Sequence, residues 1–173
     1  MSIVRACFAG SFDYINLVVK RGSGLPEISA RNNWLGSGIY FWDSDPRRAE
    51  YWQAIHGKGA ILECELETEL LIDMLTNDHG SGAFLDLAKE IIPTVGGTND
   101  RLNECFGSDG EVVNRLRPVL QSQGCCGIRM AFCLGNPVAA DGNLFPNQHI
   151  QICLWGSSVI RNPKRYIPGL ISE

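Results

Sequence analysis

Two short runs of this chain carry side chains that could act on a substrate. In the first, Asn33-Trp34-Leu35-Gly36-Ser37-Gly38-Ile39-Tyr40-Phe41-Trp42, the β-branched and aromatic residues behind the glycines predict a strand. Strand geometry sends alternate side chains to opposite faces, so Gly38, Tyr40 and Trp42 share one face and Ser37, Ile39 and Phe41 the other. A tyrosine facing away from the core, beside side-chain-free glycines, makes a flat platform with open space next to it. Such a platform can stack a planar ring and adds a cation–π attraction if that ring is cationic. The same segment would serve equally as an aromatic strand packed into a core. In the second run, Asn147-Gln148-His149-Ile150-Gln151-Ile152-Cys153-Leu154, the aliphatic residues Ile150, Ile152 and Leu154 take a buried face. His149 and Gln151 are then neighbours on the opposite face, an imidazole and an amide whose donors and acceptors suit a sugar hydroxyl.

A third set is Glu63, Glu65 and Glu67, alternating with Leu62, Cys64 and Leu66. Glu63 and Glu65 share a strand face, as a carboxylate pair for glycoside hydrolysis requires. Their alternation with apolar residues is more simply the wet face of a half-buried strand. The seven cysteines, Cys7, Cys64, Cys105, Cys125, Cys126, Cys133 and Cys153, are scattered and form no CxxC pair, so neither a disulfide framework nor a zinc module is expected, and no metal. Cys64, Cys133 and Cys153 fall in apolar, strand-like segments, where a free thiol acts as a small hydrophobe.

The elements that must position these groups alternate along the chain. Phe12, Ile15, Val18 and Val19 recur at helical spacing and Gly22 follows as a stop. Ser44-Asp45-Pro46 is a helix start with Asp45 as N-cap, leading into a helix with Ala49, Trp52 and Ile55 on one stripe and Gly57 at its end. From Thr68 to Leu120 the pattern is mostly helical, with Phe84, Leu87, Ala88 and Ile91 on one stripe and Val112, Val113 and Leu116 on another. Gly96-Gly97 and Gly107-Ser108-Asp109-Gly110 should break it. Strands return with Ile128, Met130, Phe132 and Leu134, and again from His149 to Leu154, joined by the turn-rich segment Gly135 to Asn147; a short strand around Val159 precedes the tail. Strands at both ends with helices between them indicate an α+β domain over 1–173, with a helical insertion at about 68–120.

Composition narrows the functional classes. A chain of 173 residues, 45% hydrophobic and 20% charged, is neither disordered, coiled coil nor collagen. No apolar run approaches the roughly 18 residues that span a bilayer, and the start MSIVRACFAG lacks the pattern of a signal peptide. A soluble, cytoplasmic protein without a membrane partner is expected. The net charge of −4 argues against general attraction to a phosphate backbone, while leaving room for a local basic groove through Arg47, Arg48 or Arg129. Arg161, Lys164 and Arg165 form a further cluster that suits a solvated face.

Taken together, GSGIYFW followed by the Asp45-Pro46-Arg47-Arg48-Ala49 helix, the late HIQIC strand and the early strand-plus-helix resemble the ADP-ribosyltransferase superfamily of the diphtheria-toxin and poly(ADP-ribose) polymerase type. The likeness is to a bacterial toxin-like group with WLGxGIYFW and HIQIC segments, and it extends through Leu66–Leu75 and Gly127-Ile128-Arg129. It implies a split antiparallel sheet around bound NAD⁺ and a His, Tyr and Glu triad on three strands. By the resemblance Tyr40 stacks on the nicotinamide, Gln151 stands where a glutamate holds the nicotinamide ribose, and His149 assists it. Gly10 matches a glycine whose backbone holds the carboxamide, Ser11 the small hydroxyl residue after it, and Gly38 lies beside the cofactor. The triad histidine is missing, since Phe8-Ala9-Gly10-Ser11 places Ala9 at its position. The resemblance therefore implies an NAD-dependent transferase, a toxin or defence effector in an inactivated form, acting on RNA, DNA or protein and restrained by an antitoxin. The alternative is a natural, catalytically silent NAD-binding or partner-binding pseudoenzyme of the same fold.

Overall fold

The computed structural model describes residues 2–22, 24, 25, 27, 33–57, 59–75, 82, 84, 86–88, 90, 109–134 and 147–168. Seven strands, β1 (Ile3–Gly10), β2 (Ile39–Asp43), β3 (Ala60–Glu67), β4 (Leu71–Asp73), β5 (Gly127–Leu134), β6 (Asn147–Leu154) and β7 (Ile160–Arg165), form one mixed sheet in the order β4-β5-β6-β2-β1-β3-β7. Only the β4–β5 contact is parallel. The helices are α1 (Phe12–Arg21), α2 (Pro46–His56) and α3 (Asp109–Ser122), and residues 82, 84, 86–88 and 90 are helical as well. The α+β class holds. The strands are hydrogen-bonded from one edge to the other, with β1 and β2 joined at only two residue pairs.

One face of the sheet buries Phe41, Leu62, Ile152 and Leu154 under Ile15 and Val18 of α1. This helix stops at Gly22, whose φ of 70° is left-handed and whose N–H bonds the Val18 carbonyl at 2.7 Å. The expected stripe on α1 is only half buried: Phe12 and Val19 face out, and the Phe12 ring instead lies under the Arg165 guanidinium, 4.3 Å from its centroid. On the other face α3 lays Val113, Leu116 and Leu120 over Ile128 and Cys153, while α2 covers Cys7 and Ile61 with Ala49. As expected, Asp45 caps α2 by accepting the Arg48 N–H at 3.3 Å, with Pro46 in the first turn. Of the stripe read on that helix, Ala49 is buried while Trp52 and Ile55 are exposed.

Two corrections fall within the expected helical insertion. Leu71–Asp73 is a strand, because a parallel place on β5 is open to it and its apolar pair Leu71 and Ile72 is buried there. Asp109 and Gly110 begin α3 instead of breaking a helix. Gly110 is needed for contact: a Cβ there would lie 1.9 Å from the Asn33 carbonyl oxygen, so its absence lets the loop before β2 press onto the helix. Phe84, Leu87 and Ala88 pack against the α3 cluster, whereas Ile91, Gly96, Gly97, Gly107 and Ser108 lie outside the described residues.

On β3 the apolar alternation is as read, with Leu62, Cys64 and Leu66 buried, but Glu63 is buried too. Arg5 bonds one of its oxygens and Lys164 the other, the latter at 2.9 Å. Burial alone would raise this carboxyl above its ordinary 4.5; the hydrogen bonds from Lys164 and Arg5 outweigh it and hold the group lower. A carboxylate whose folded pKa is depressed contributes stability above its unfolded value and loses it as pH falls through the folded one. The denaturation midpoint should therefore fall below about pH 4.5 more steeply in the native chain than in Glu63→Gln, as followed by urea unfolding across the acid range. Parallel midpoints in the two proteins would contradict this coupling.

Candidate functional site

The register places a gap where β1 leaves β2. These strands pair at Ala6 with Asp43 and Cys7 with Trp42; from Phe8 to Gly10, β1 continues with β3, and β2 runs on along β6. The resulting cleft, of about 480 Å³, is lined by Ala9 of β1, Tyr40 and Trp42 of β2, and His149 and Gln151 of β6. These side chains share a face because β2 and β6 are in register: Trp42 stands opposite Gln151 and Tyr40 opposite Cys153. The helix α2 adds Arg48, Tyr51, Trp52 and Ile55, and the loop before β2 adds Asn33 and Trp34.

That loop is built from the α3 side. Gly36 has a φ of 77°, the Ser37 N–H donates to Asn114 Oδ1 at 2.7 Å, and the Tyr40 hydroxyl donates to the Gly36 carbonyl at 2.7 Å while accepting the Leu35 N–H at 3.0 Å. Burial pushes the Tyr40 hydroxyl well above the ordinary range of a phenol. Its oxygen is thus neutral and committed to the loop. What Tyr40 offers the cleft is its ring.

His149 is buried and its Nε2 lies 2.9 Å from the Gln151 Nε2. With the amide N–H donating, that imidazole nitrogen must be the unprotonated acceptor. The contact fixes the rotamer of the Gln151 amide, which stands opposite Trp42. The His149 ring in turn lies 5.9 Å from Phe132.

Of the residues picked out by sequence, Ala9, Tyr40, His149 and Gln151 are brought together, whereas Gly10, Ser11 and Gly38 are not in the lining. Ser11 precedes α1 and its carbonyl accepts the Ile15 N–H. The open space expected beside the glycines is absent: a Cβ on Gly38 would lie 2.4 Å from Cys153 Sγ and 2.6 Å from the Leu154 carbonyl oxygen, and one on Gly36 would lie 2.5 Å from Asn114 Oδ1. Gly38 is a packing glycine. Gly38→Ala should accordingly destabilise the chain by about 3 kcal/mol, since the obstacle is the backbone of a paired strand. A thermal unfolding midpoint equal to that of the native chain would contradict it.

Arg129 is corrected as well. It stands opposite Ile152, on the face away from the cleft, and its guanidinium bonds Asp43 at 2.6 Å and Asp73 at 2.7 Å. Nor do Glu63 and Glu65 enter the cleft; Glu65 accepts from Asn162 at 2.7 Å, and Glu63, held ionised, is unsuited to general-acid work. Arg161 and Lys164 are exposed, as expected of a solvated face, and pair with Glu67 and Glu63. Cys7, Cys64 and Cys153 are buried and free, with burial holding the Cys7 and Cys153 thiols up at about 12; Cys133 is exposed, contrary to expectation, and Cys105 is outside the described residues.

The α2 contribution was not foreseen. Adjacent residues of a helix point about 100° apart, so Tyr51 and Trp52 cannot both follow Ala49 inward; two neighbouring rings on a helix whose one buried residue is an alanine were the available signal. Among the described residues no set of His, Cys, Asp and Glu is grouped to hold a metal ion, and no helix is long and apolar enough to cross a membrane. No family model, no curated protein and no solved structure matches this chain.

Proposed function

We propose that the chain is an NAD-dependent ADP-ribosyltransferase, a cytoplasmic toxin or defence effector that modifies a macromolecule and is disabled at Ala9. One observation carries this reading. Positions 9, 40 and 151, which the sequence resemblance assigns to the three reactive side chains, come from three different strands and line a single cleft. The lining also suits the dinucleotide chemically: among the described residues its only charged side chain is Arg48 and none is a carboxylate that would repel a pyrophosphate, and its volume of about 480 Å³ is that of a small-molecule site.

In this reading the Tyr40 ring stacks against the nicotinamide and Gln151, its rotamer fixed by His149, holds the hydroxyls of the adjoining ribose. The bond between the nicotinamide nitrogen and the ribose anomeric carbon breaks with its electron pair passing to nicotinamide, which leaves neutral. The acceptor atom bonds to the same carbon and loses its proton to solvent. Positive charge builds on the ribose as in glycoside chemistry. Gln151 offers that charge a dipole and no formal negative charge, so rate must come from positioning. An imidazole at position 9 would hydrogen-bond the adenosine ribose and fix the bent pose of the dinucleotide; the methyl group of Ala9 does neither. A toxin of this kind would be restrained by an antitoxin protein.

Ala9 also favours a second reading, a silent module that binds NAD⁺ or a partner without turnover. The two part when the native chain and Ala9→His are incubated with NAD⁺ labelled in its adenylate half and the protein, RNA and DNA fractions are separated. Label in one fraction with the histidine restored supports the transferase. Absence of label from every fraction, with no nicotinamide released, sinks it.

A further inference from the structure

The cleft has an outer wall that NAD⁺ chemistry does not account for. Tyr51 is 64% exposed, Trp52 46% and Ile55 57%, all on α2, and Trp34 across the cleft is 44% exposed. The two tryptophan planes are braced: the Trp52 ring is stacked on His56 at 3.9 Å and stands 6.0 Å from Trp42, and Trp34 lies 4.7 Å from Phe132. Side chains fixed in this way lose little freedom when a flat ligand slides against them. The charge beside them is one-sided. Arg5, Arg117, Arg129 and Arg161 are each paired with a carboxylate, whereas Arg47, exposed in the first turn of α2, has no acidic partner among the described residues, and Arg48 next to it meets Asp45 only at 3.8 Å. In a chain of net charge −4, a cleft with exposed rings and no carboxylate among its described lining residues, with the Arg47 guanidinium one helical turn before Tyr51 on α2, is complementary to an anion that carries planar rings.

We infer that this wall holds the acceptor and that the acceptor is single-stranded nucleic acid, with an unstacked base lying on Tyr51 and Trp52 and its backbone phosphate beside Arg47. Ring-on-base stacking is tolerant of sequence, and guanidinium-to-phosphate attraction makes such binding salt-dependent. A duplex keeps its bases stacked on each other and presents none to the wall. A protein acceptor would leave Arg47 without a counterpart unless it were acidic. The inference deepens the transferase reading and rests on it for the role of the bound strand, but the binding itself is separable.

The test is a fluorescence titration of the native chain, at low and moderate salt, with a short mixed-sequence single-stranded oligonucleotide and with its duplex. Tryptophan emission should be quenched by the single strand and far less by the duplex. Tyr51→Ala, whose side chain is mostly exposed, should weaken binding about tenfold for the loss of one stacked ring. Arg47→Gln should weaken it and reduce the slope of log affinity against log salt by roughly 0.7. Far-UV circular dichroism confirms that each variant is folded, and if Trp52→Ala does not fold, the other two decide. No binding of the single strand at low salt, equal binding of the duplex, or full affinity in both variants would overturn the inference. Label found in protein alone, with no oligonucleotide bound, overturns it and leaves the transferase reading standing. Oligonucleotide binding with no nicotinamide released by Ala9→His keeps the wall and sinks the transferase.

Discussion

Ala9→His should tighten NAD⁺ binding by roughly 5- to 150-fold and turn on nicotinamide release. The expected gain follows from what position 9 lacks. Ala9 is paired with Ile61 on β3 and has no partner on β2, because β1 and β2 have already separated there; its side chain lines the cleft with those of Tyr40 and Gln151. A larger side chain at this position grows into the gap, so folding stability should shift by less than about 1 kcal/mol. A hydrogen bond from an imidazole to a sugar hydroxyl that is otherwise left unsatisfied on burial is worth about 1–3 kcal/mol, which corresponds to roughly 5- to 150-fold in affinity. Calorimetric titration with NAD⁺ gives the affinity, and chromatographic assay of free nicotinamide gives the turnover. Ala9→Gln separates the requirement for an imidazole from that for any hydrogen-bonding group. If Ala9→His binds NAD⁺ no better than the native chain, position 9 is not where the resemblance puts it.

Arg129→Met should cost about 3–5 kcal/mol of folding stability. The guanidinium sits between Asp43 at the end of β2 and Asp73 at the end of β4, at 2.6 and 2.7 Å, and Asp43 is almost wholly buried. Removing the cation leaves two carboxylates without their shared partner on β5, one with little access to water. The side chain's own bulk is nearly preserved by methionine, so the loss reports charge and hydrogen bonding rather than a cavity. Urea unfolding measures it. The combined Arg129→Met, Asp43→Asn and Asp73→Asn protein should recover much of the loss, because the burden lies in the uncompensated charges. A loss below about 1 kcal/mol in the single variant would show that the three groups are solvated independently.

Much of the fold was legible because its patterns are local. The β3 alternation, the Asp45-Pro46 start of α2 and the Gly22 stop of α1 each follow from a few neighbouring residues. The strand β4 was not legible: three residues have no period, and they become a strand only because β5 offers them a parallel edge. Glycines misled twice, at Gly110 and Gly38, where side chains are excluded by backbone from elsewhere in the chain and not by local turn geometry. The burial of Glu63 likewise depends on Arg5 and Lys164, distant in sequence on flanking strands. Of the cleft, the strand-borne residues followed from alternation, which fixes a face without naming its neighbours. The rings of α2 did not follow, since a helical stripe that lines a cleft looks the same in sequence as one that packs a core.

The order of strands leaves β4 and β7 at the margins of the sheet. One is only three residues long. The other carries Pro163, which has no N–H to offer, beside Asn162 at a φ of 50° and opposite an interruption of the β3 register between Glu63 and Glu65. Arg161 and Lys164 flank the irregularity. A foreign strand, or another copy of the chain, therefore finds too little regular backbone on either margin to extend the sheet. The molecule can hold an open, ring-lined cleft near its middle without offering its own edges as a template for aggregation.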